Sequence, residues 1–585
     1  MKQVVWAVCL LSLISTKYVF GEEKAFDPSA AFRSLSDHPV AVLTIPPGRY
    51  RLPNEGLILR GVKNTTIEAR GVTFIATNKD APVLQIFQSE NVKLVGATFD
   101  YDPLPFTQGS ITAYDAKEGV AEFEIHAGYA DVTKEYVKRR LVHLFEKDAP
   151  RWKPGSPDYY AIKIDILTPR TGRIFFAKTG RDMIKVGDRV VFNIRQIAGI
   201  TMKQGCKGIA FEDVTVYAAP ALGFLVRFCE DSGVYKNVRV IPGPKPEGAT
   251  QERLFSTCAD AFNAAYTRKG PVMDGCEFSY MGDDSVNLHG VTLPVLKWID
   301  DRTFLSMRPQ RGDAFESLIR PGDEIRFLKE PNYQITATAR VESAAAAEEN
   351  RDTWLATAKK IWPTFRQSDT AAFYRIRLVE PVSGVAAGDF CDIPATSAPN
   401  FVIRNSSFHD HRGRGLRLMS NDGVVENNRF ERIKGSAITV GPEFAYWREA
   451  GWCRNIAVRN NRITDVGEGI NITLPESYSP GAIAVIAHVM PQGPGTLYYP
   501  GNENISISGN TIDGCSVSGI SVVAAKDVKI TDNILRRVNL SSTAKTAMEY
   551  GLTSSSSISI IQAQAEVTNN KVEAGAAASK ISVNP

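Results

Sequence analysis

Asp283 and Asp284 stand side by side in Met281-Gly-Asp-Asp-Ser-Val-Asn-Leu-His-Gly290, and Asp260 lies 23 residues before the pair. That spacing is close to one coil of a parallel β-helix, where residues one coil apart stack on neighbouring strands about 4.8 Å from each other. Stacked so, the three carboxylates would share one small patch. Clustered carboxylates suit acid/base work on a sugar: one donates a proton to the leaving oxygen while another activates water. Neighbouring carboxylates also repel, which pushes one pKa upward and keeps a proton donor near neutral pH. A single aspartate in such a coil is a turn or ladder residue. Three at coil spacing, followed by Asn287 and His289, read as a catalytic group. In a straight strand the adjacent pair would point to opposite faces, so both reach one site only if the chain bends. Gly282 is placed to permit a bulge there.

The elements that must position these residues are visible as a repeated phrase of a Gly or Asn, a β-branched alternating run, an Asn or Asp, and a further apolar residue. It reads Gly208-Ile-Ala-Phe-Glu-Asp-Val-Thr-Val216, Asn400-Phe-Val-Ile-Arg-Asn-Ser-Ser-Phe408 and Gly423-Val-Val-Glu-Asn-Asn-Arg-Phe430. It returns as Asn455-Ile-Ala-Val-Arg-Asn-Asn-Arg-Ile463, Asn504-Ile-Ser-Ile-Ser-Gly-Asn-Thr-Ile512 and Asp527-Val-Lys-Ile-Thr-Asp-Asn-Ile-Leu535. Each phrase supplies one short strand, and its Asn can ladder with its counterparts while tolerating a left-handed turn. One coil cannot bury its apolar face alone, but stacked coils make a continuous core. The fold class expected is all-β, a parallel β-helix carrying two inserted small β-barrel domains. Val186-Gly-Asp-Arg-Val-Val-Phe192 and Pro321-Gly-Asp-Glu-Ile-Arg-Phe327 mark the inserts, each a tight Gly-Asp turn feeding an alternating strand. The expected division is a signal segment at 1–21, coils at 22–109, an insert at 110–200 and coils with the aspartates at 201–290. A second insert follows at 291–397, then coils at 398–585. Ala344-Ala-Ala-Ala-Glu-Glu-Asn350 reads as a short helix or linker.

A formal charge of +4 on 585 residues, with Lys and Arg scattered, argues against a nucleic-acid partner. Lys2, an apolar run from Val4 to about Ile14 and an expected cleavage point after Val19-Phe20-Gly21 read as a secretory signal, too short to span a membrane. The expected location is secreted or periplasmic, with no membrane partner once the signal is removed and a homo-oligomer left open. Beyond Cys9, in the signal, seven cysteines remain without a CxxC pair. Cys206 and Cys229, also 23 apart, would pack inward on adjacent coils or join. The spacing does not suit zinc. His409-Asp410-His411 looks like a metal knot, yet strand alternation splits the histidines from the aspartate. No metal and no cofactor are expected.

The segments Cys258-Ala-Asp-Ala-Phe-Asn263 and Met281 to Gly290 together resemble the signature of glycoside hydrolase family 110, exo-acting α-galactosidases that cleave α-1,3-linked galactose. Tyr101-Asp-Pro-Leu-Pro-Phe-Thr-Gln-Gly109 and Gly441-Pro-Glu-Phe-Ala-Tyr-Trp447 are similar to family segments too. The resemblance implies a right-handed helix and metal-independent hydrolysis with inversion, acting on a glycan with terminal α-galactose. By motif, Asp283 would be the general acid, while Asp260 and Asp284 would hold and deprotonate water. Gln108 would face the substrate. The chain departs from the family pattern at Asn263, where many relatives have His, and at Ser285-Val286 in place of Ala-Ile.

Other residues could bind the sugar. Asn287 follows the aspartate pair, and His289 either bonds a hydroxyl or is a satisfied wall residue. Arg414 and Arg417 could grip hydroxyls or be solvated. Glu443 could bond hydroxyls and Trp447 could stack on the apolar face of galactose or pack in the core. Two other function classes compete: a different β-helix carbohydrase, polygalacturonase-like or a uronate lyase, and a noncatalytic glycan-binding β-helix. A uronate enzyme should have a cationic cleft, whereas little basic sequence lies beside the aspartates.

Overall fold

The computed structural model describes residues 26–308, 315–363, 371–449, 451–468, 480–489, 498–540, 556–573 and 581–584. The expected signal segment and Cys9 lie outside the described residues. Among these, three parallel sheets of twelve strands each run along the molecule, and every coil contributes one strand to each sheet in turn. In one coil the three strands are Ala210–Glu212, Thr215–Val216 and Phe224–Cys229. We number the sheets first, second and third in that order.

Strand alternation builds the core. On the first sheet Phe211, Tyr235, Met273, Ile403, Val425, Val458, Ile507 and Ile530 pair in register from coil to coil, and all are buried. The Asn of the repeated phrase divides its work between two residues rather than one. Asn427, Asn460 and Asp532 take the left-handed turn at φ 57, 56 and 57°. The following Asn428, Asn461, Asn510 and Asn533, all buried, and the half-buried Asn570 form a ladder in which each side-chain oxygen accepts the backbone N–H of the coil before, at 2.9–3.0 Å. Such a ladder satisfies turn amides that the solenoid removes from water.

The winding continues across both inserts. Leu84 pairs with Ile200, and Val286 pairs with Leu416, so the coils on either side of each insert are direct neighbours on the third sheet. The second insert contains a closed six-stranded barrel that begins with Leu293–Trp298 and ends with Phe390–Asp392. The first insert is a seven-stranded antiparallel sheet between Phe106 and Asn193 that does not close by a ladder. Its outermost strands, Tyr159–Tyr160 and Lys163–Ile166, are joined by two residues, so the sheet curls until its edges meet at Ala161 and Ile162. The Gly-Asp turns are built alike: Asp188 and Asp323 each accept the N–H three residues earlier, at 2.8 Å, while Gly187 and Gly322 adopt φ 93 and 87°.

Ala344–Ala346 are not helical. They complete the strand Gln334–Ala346, and the helix starts later, at Arg351–Ile361. Pairing with Tyr374, Arg375 and Ile376 in the barrel wall overrides the helix preference of alanine.

Candidate active site

The three aspartates occupy the turn that leads into the third sheet. Phe262 pairs with Val286 and Val286 with Leu416, which stacks Asp260, Asp284 and Arg414 one above another along the axis. Backbone bonds fix this column: Ala261 N donates to Asp284 O and Ser285 N donates to Arg414 O, both at 3.0 Å. The chain bends at Gly282 and Asp283, so the adjacent pair does face one site. Gly282 serves by its lack of a side chain rather than by a left-handed turn. A Cβ there would meet the carbonyl of Cys258 at 2.6 Å. Gly413, one coil on, lies against the Asp283–Asp284 peptide so closely that a Cβ would approach Asp284 N to 2.5 Å.

One oxygen from each of Asp260, Asp283 and Asp284 falls within 4.8 Å of the others. Their charges are handled differently. Asp284 is 2% exposed, and its carboxylate takes Arg414 in a fork, Nε to Oδ1 at 3.0 Å and Nη2 to Oδ2 at 2.9 Å, with Arg414 N on Oδ1 at 2.6 Å. Asp283, with 18% of its side chain exposed, pairs with Arg195 and lies 3.1 Å from Arg412 Nη1. Burial alone would raise the Asp283 pKa, but Arg195, Arg412 and Arg414 hold it well below the usual carboxylate range. Asp260 has no such partner. Burial first, then the charges of Asp283 and Asp284, raise it from 3.8 to about 8. Asp260 is thus the carboxyl whose surroundings favour the protonated form, while the family resemblance gives the donor role to Asp283. The reason is tertiary: arginines distant in sequence converge on Asp283 and leave Asp260 to Asn263, whose Nδ2 donates to it at 2.8 Å.

The two inserts supply the surroundings. Arg195 follows the last strand of the first insert, and Asp158 of that insert receives Arg412 Nε at 2.7 Å. Asn193 and Trp152 dock the insert on the coils through the carbonyls of Cys258 and Asp410, at 3.3 and 3.1 Å. On the other side Arg448 donates to Tyr333 at 2.8 Å and lies 4.1 Å from the Phe390 ring centre, tying the 441–449 loop to the barrel. That loop carries Glu443, Trp447 and Glu449.

The third sheet forms a wall beside the aspartates. Asn263, Asn287 and Arg417 pair in register on adjacent strands, and His289 stands two residues further. Arg227 donates to Asn263 Oδ1 at 2.6 Å. Glu449 lies 3.4 Å from Arg417 and 3.7 Å from His289. Burial opposes its charge, yet His289, Arg417, Arg414 and Arg227 lower its pKa, so it is ionised at neutral pH. Burial keeps His289 neutral by lowering its pKa.

Several expected binders have other duties. Gln108 is buried and consumed by backbone, Nε2 donating to Glu252 O at 2.9 Å and Oε1 accepting Leu254 N at 3.0 Å. Arg414 holds Asp284 rather than presenting itself to a hydroxyl. Glu443 accepts the N–H groups of Tyr446 and Trp447 at 2.8 and 2.5 Å, shaping its own loop, and burial raises its pKa to about 7. Trp447 is 54% exposed, which excludes the core reading. His409 pairs with Asp410 at 2.8 Å and Asp410 with Arg432, while His411 turns away to Ser285 at 2.8 Å. Cys206 and Cys229 are buried thiols, not a disulfide. Sequence reading missed Arg195, Arg227, Arg412 and Glu449, and its expectation of few cations near the aspartates is overturned. Arg412 alone left a signal, standing in Arg412-Gly-Arg-Gly-Leu-Arg417 one coil beyond the aspartate pair.

These features define a parallel β-helix with a carboxylate recess on one sheet. A family model described as a right handed beta helix region matches residues 389–480. The chain is 25% identical over 548 residues to the alpha-1,3-galactosidase B of Akkermansia muciniphila, covering 86% of this chain and 63% of that one. It is 26% identical over 438 residues to an alpha-1,3-galactosidase B of Phocaeicola vulgatus, covering 70% of this chain and 68% of that one. It thus spans less than two thirds of the Akkermansia relative. These names agree with the resemblance read from the aspartate motif. Among solved structures, the family 28 exopolygalacturonase of Yersinia enterocolitica aligns at 10% identity and a TM-score of 0.40, over 93% of this chain and 75% of that one.

Proposed function

We propose that this protein is a secreted or periplasmic glycoside hydrolase that removes terminal α-1,3-linked galactose from glycans, with inversion and without a metal. The observation that carries the reading is the triad itself. Oxygens within 4.8 Å of one another can all reach a single atom between them at about 2.8 Å, a hydrogen-bond length. Within that cluster Asp260, whose surroundings favour its proton, supplies a donor for the glycosidic oxygen, and the ionised Asp283 supplies a base for water. In the reaction Asp260 gives its proton to the leaving oxygen and Asp283, with Asp284, takes one from water. The water oxygen bonds to the anomeric carbon as the glycosidic bond breaks.

The triad is tighter than the roughly 6.5–9.5 Å of typical inverting pairs. Inversion is favoured here because arginines restrain both Asp283 and Asp284 from attacking the anomeric carbon: Arg414 forks Asp284, while Arg195 and Arg412 hold Asp283. The same arginines match the carboxylate charges and disfavour a divalent cation, so chelation should leave activity unchanged. A second assignment, with Asp283 as donor, is favoured by its position as the more exposed of the adjacent pair. An aryl galactoside, whose leaving group needs less protonation, should partly rescue the Asn variant of whichever residue is the donor, Asp260 or Asp283, and not the other.

A uronate-directed reaction is the competing reading, and the specific observation favouring it is the set of five arginines around the triad, Arg195, Arg227, Arg412, Arg414 and Arg417. An NMR time course on a defined α-1,3-galactoside, run beside oligouronates, separates the two. Release of β-galactose first is expected. Cleavage of oligouronates alone would replace the galactosidase reading, initial α-galactose would establish retention, and turnover of neither would leave a glycan-binding protein.

A further inference from the structure

The wall next to the triad contains buried polar atoms that the protein itself does not satisfy. Asn287 Oδ1, Arg417 Nη2 and Glu449 Oε2 have no hydrogen-bond partner, and Glu449 meets Arg417 Nη1 at 3.4 Å as an ion contact without hydrogen-bond geometry. Buried polar atoms are normally paired, so a convergent unpaired set marks a place for a ligand. His289 adds to it. Its Nδ1 lies 2.8 Å from Gly290 O, and a carbonyl only accepts, so Nδ1 carries the proton and Nε2 of the neutral ring is an acceptor. That acceptor faces Glu449 Oε1 at 3.7 Å. Three acceptors and one guanidinium donor in one place suit hydroxyl groups, which donate and accept at once. They do not suit an anion, which would lie against the Glu449 carboxylate.

The position of Glu449 is not accidental to the loop. Its carbonyl accepts Glu443 N at 2.9 Å, and the neighbouring Arg448 is anchored in the barrel by Tyr333 and Phe390. The second insert therefore holds this carboxylate over the third sheet.

We propose that Glu449 is the specificity-determining residue of the site, reading adjacent hydroxyls of an uncharged hexose together with Arg417 and Asn287 and excluding a uronate from the same position. The inference deepens the galactosidase reading and rests on it for the identity of the hexose.

The test is Glu449→Gln, which keeps the shape and removes the charge, with Asn287→Ala as a second variant that leaves the charge unchanged. Loss of a hydrogen bond to a charged group predicts a KM for the α-1,3-galactoside raised about 10- to 100-fold in Glu449→Gln, with a smaller fall in kcat. Asn287→Ala should raise KM in the same direction. Inhibition by galactose and by galacturonate gives the second readout: wild type should prefer galactose, and Glu449→Gln should lose at least tenfold of that preference. Unchanged KM in both variants, with melting temperatures showing them folded, would overturn the proposal, as would an unchanged preference. If wild type cleaves no galactoside, the function reading fails, and saturation-transfer NMR with the two monosaccharides still decides this one. A galactose preference that Glu449→Gln abolishes supports it, and no preference or no binding refutes it.

Discussion

Asp260 should destabilise the fold that holds it, and Asp260→Asn should relieve that cost in a pH-dependent way. Its pKa rises from 3.8 to about 8 on folding, driven by burial and then by Asp283 and Asp284. Between these values the folded protein keeps a proton that the unfolded chain has released. Stability linked to this group therefore falls as pH rises from about 4 to about 8 and is level outside that window. A rise from 3.8 to about 8 corresponds to about 6 kcal/mol at most, at about 1.4 kcal/mol for each tenfold change in proton concentration. Between pH 5.5 and pH 8 the change is about 3 kcal/mol. Asn carries no charge at either pH and can still accept the Asn263 amide. Denaturant midpoints for wild type and Asp260→Asn at intervals from pH 5 to pH 8.5 provide the assay. The variant should gain on wild type steadily across that range, by about 4 kcal/mol in total, while its turnover falls by about 10² or more. Asp283→Asn gives the opposite sign. Its folded pKa is depressed by arginines, so its ion pairs stabilise above about pH 4; the variant should be less stable than wild type, by an amount that narrows toward pH 8 because Asp260, freed of the Asp283 charge, loses less stability as pH rises. An offset for Asp260→Asn that does not change with pH would refute the reasoning, because it would mean that the carboxyl is not held protonated by its surroundings.

Three further outcomes follow from the geometry. Gly413→Ala puts a methyl within 2.5 Å of the Asp284 backbone, so the aspartate pair must shift, and turnover should drop about 10²-fold in a steady-state assay even where the protein folds. Arg414→Met leaves Asp284 buried without its fork and should cost about 3–5 kcal/mol in a denaturation experiment, together with most of the activity. Trp447→Ala removes a ring that is 54% exposed, so its melting temperature should move by no more than about 1 °C, while KM for the galactoside rises several-fold. An unchanged KM would remove the ring from the substrate path.

The parallel winding was legible because its cause is local. Alternating β-branched residues turn one face inward, and an Asn or Asp at each corner accepts a left-handed turn, so the phrases ending at Phe408, Phe430, Ile463 and Ile512 each announce a coil. Coil spacing then placed Asp260 beside the Asp283–Asp284 pair, since one repeat of a solenoid is one step along its axis; the register that stacks it on Asp284 came from the strands. The division of the corner between a left-handed residue and a laddering Asn needed register, and the strand at Ala344–Ala346 needed the barrel partner that alanine propensity does not foresee.

The sequence by itself determined which carboxylates meet, because stacking at a fixed coil length is a one-dimensional relation. Only the tertiary structure decided what each carboxylate is. Arg195 reaches Asp283 from 88 residues away and Arg414 reaches Asp284 from 130, so the charge that lowers the Asp283 pKa and the fork that holds Asp284 come through inserts and later coils. Asp260 forms no ion pair with an arginine among the described residues, and its burial beside Asp283 and Asp284 outweighs the pull of Arg195 and favours its proton. Glu449 likewise enters the site because a barrel some hundred residues long carries its loop there. Electrostatic energy depends on separation in space and on exclusion of water, and neither is a property of sequence spacing once the chain has left the coil and returned.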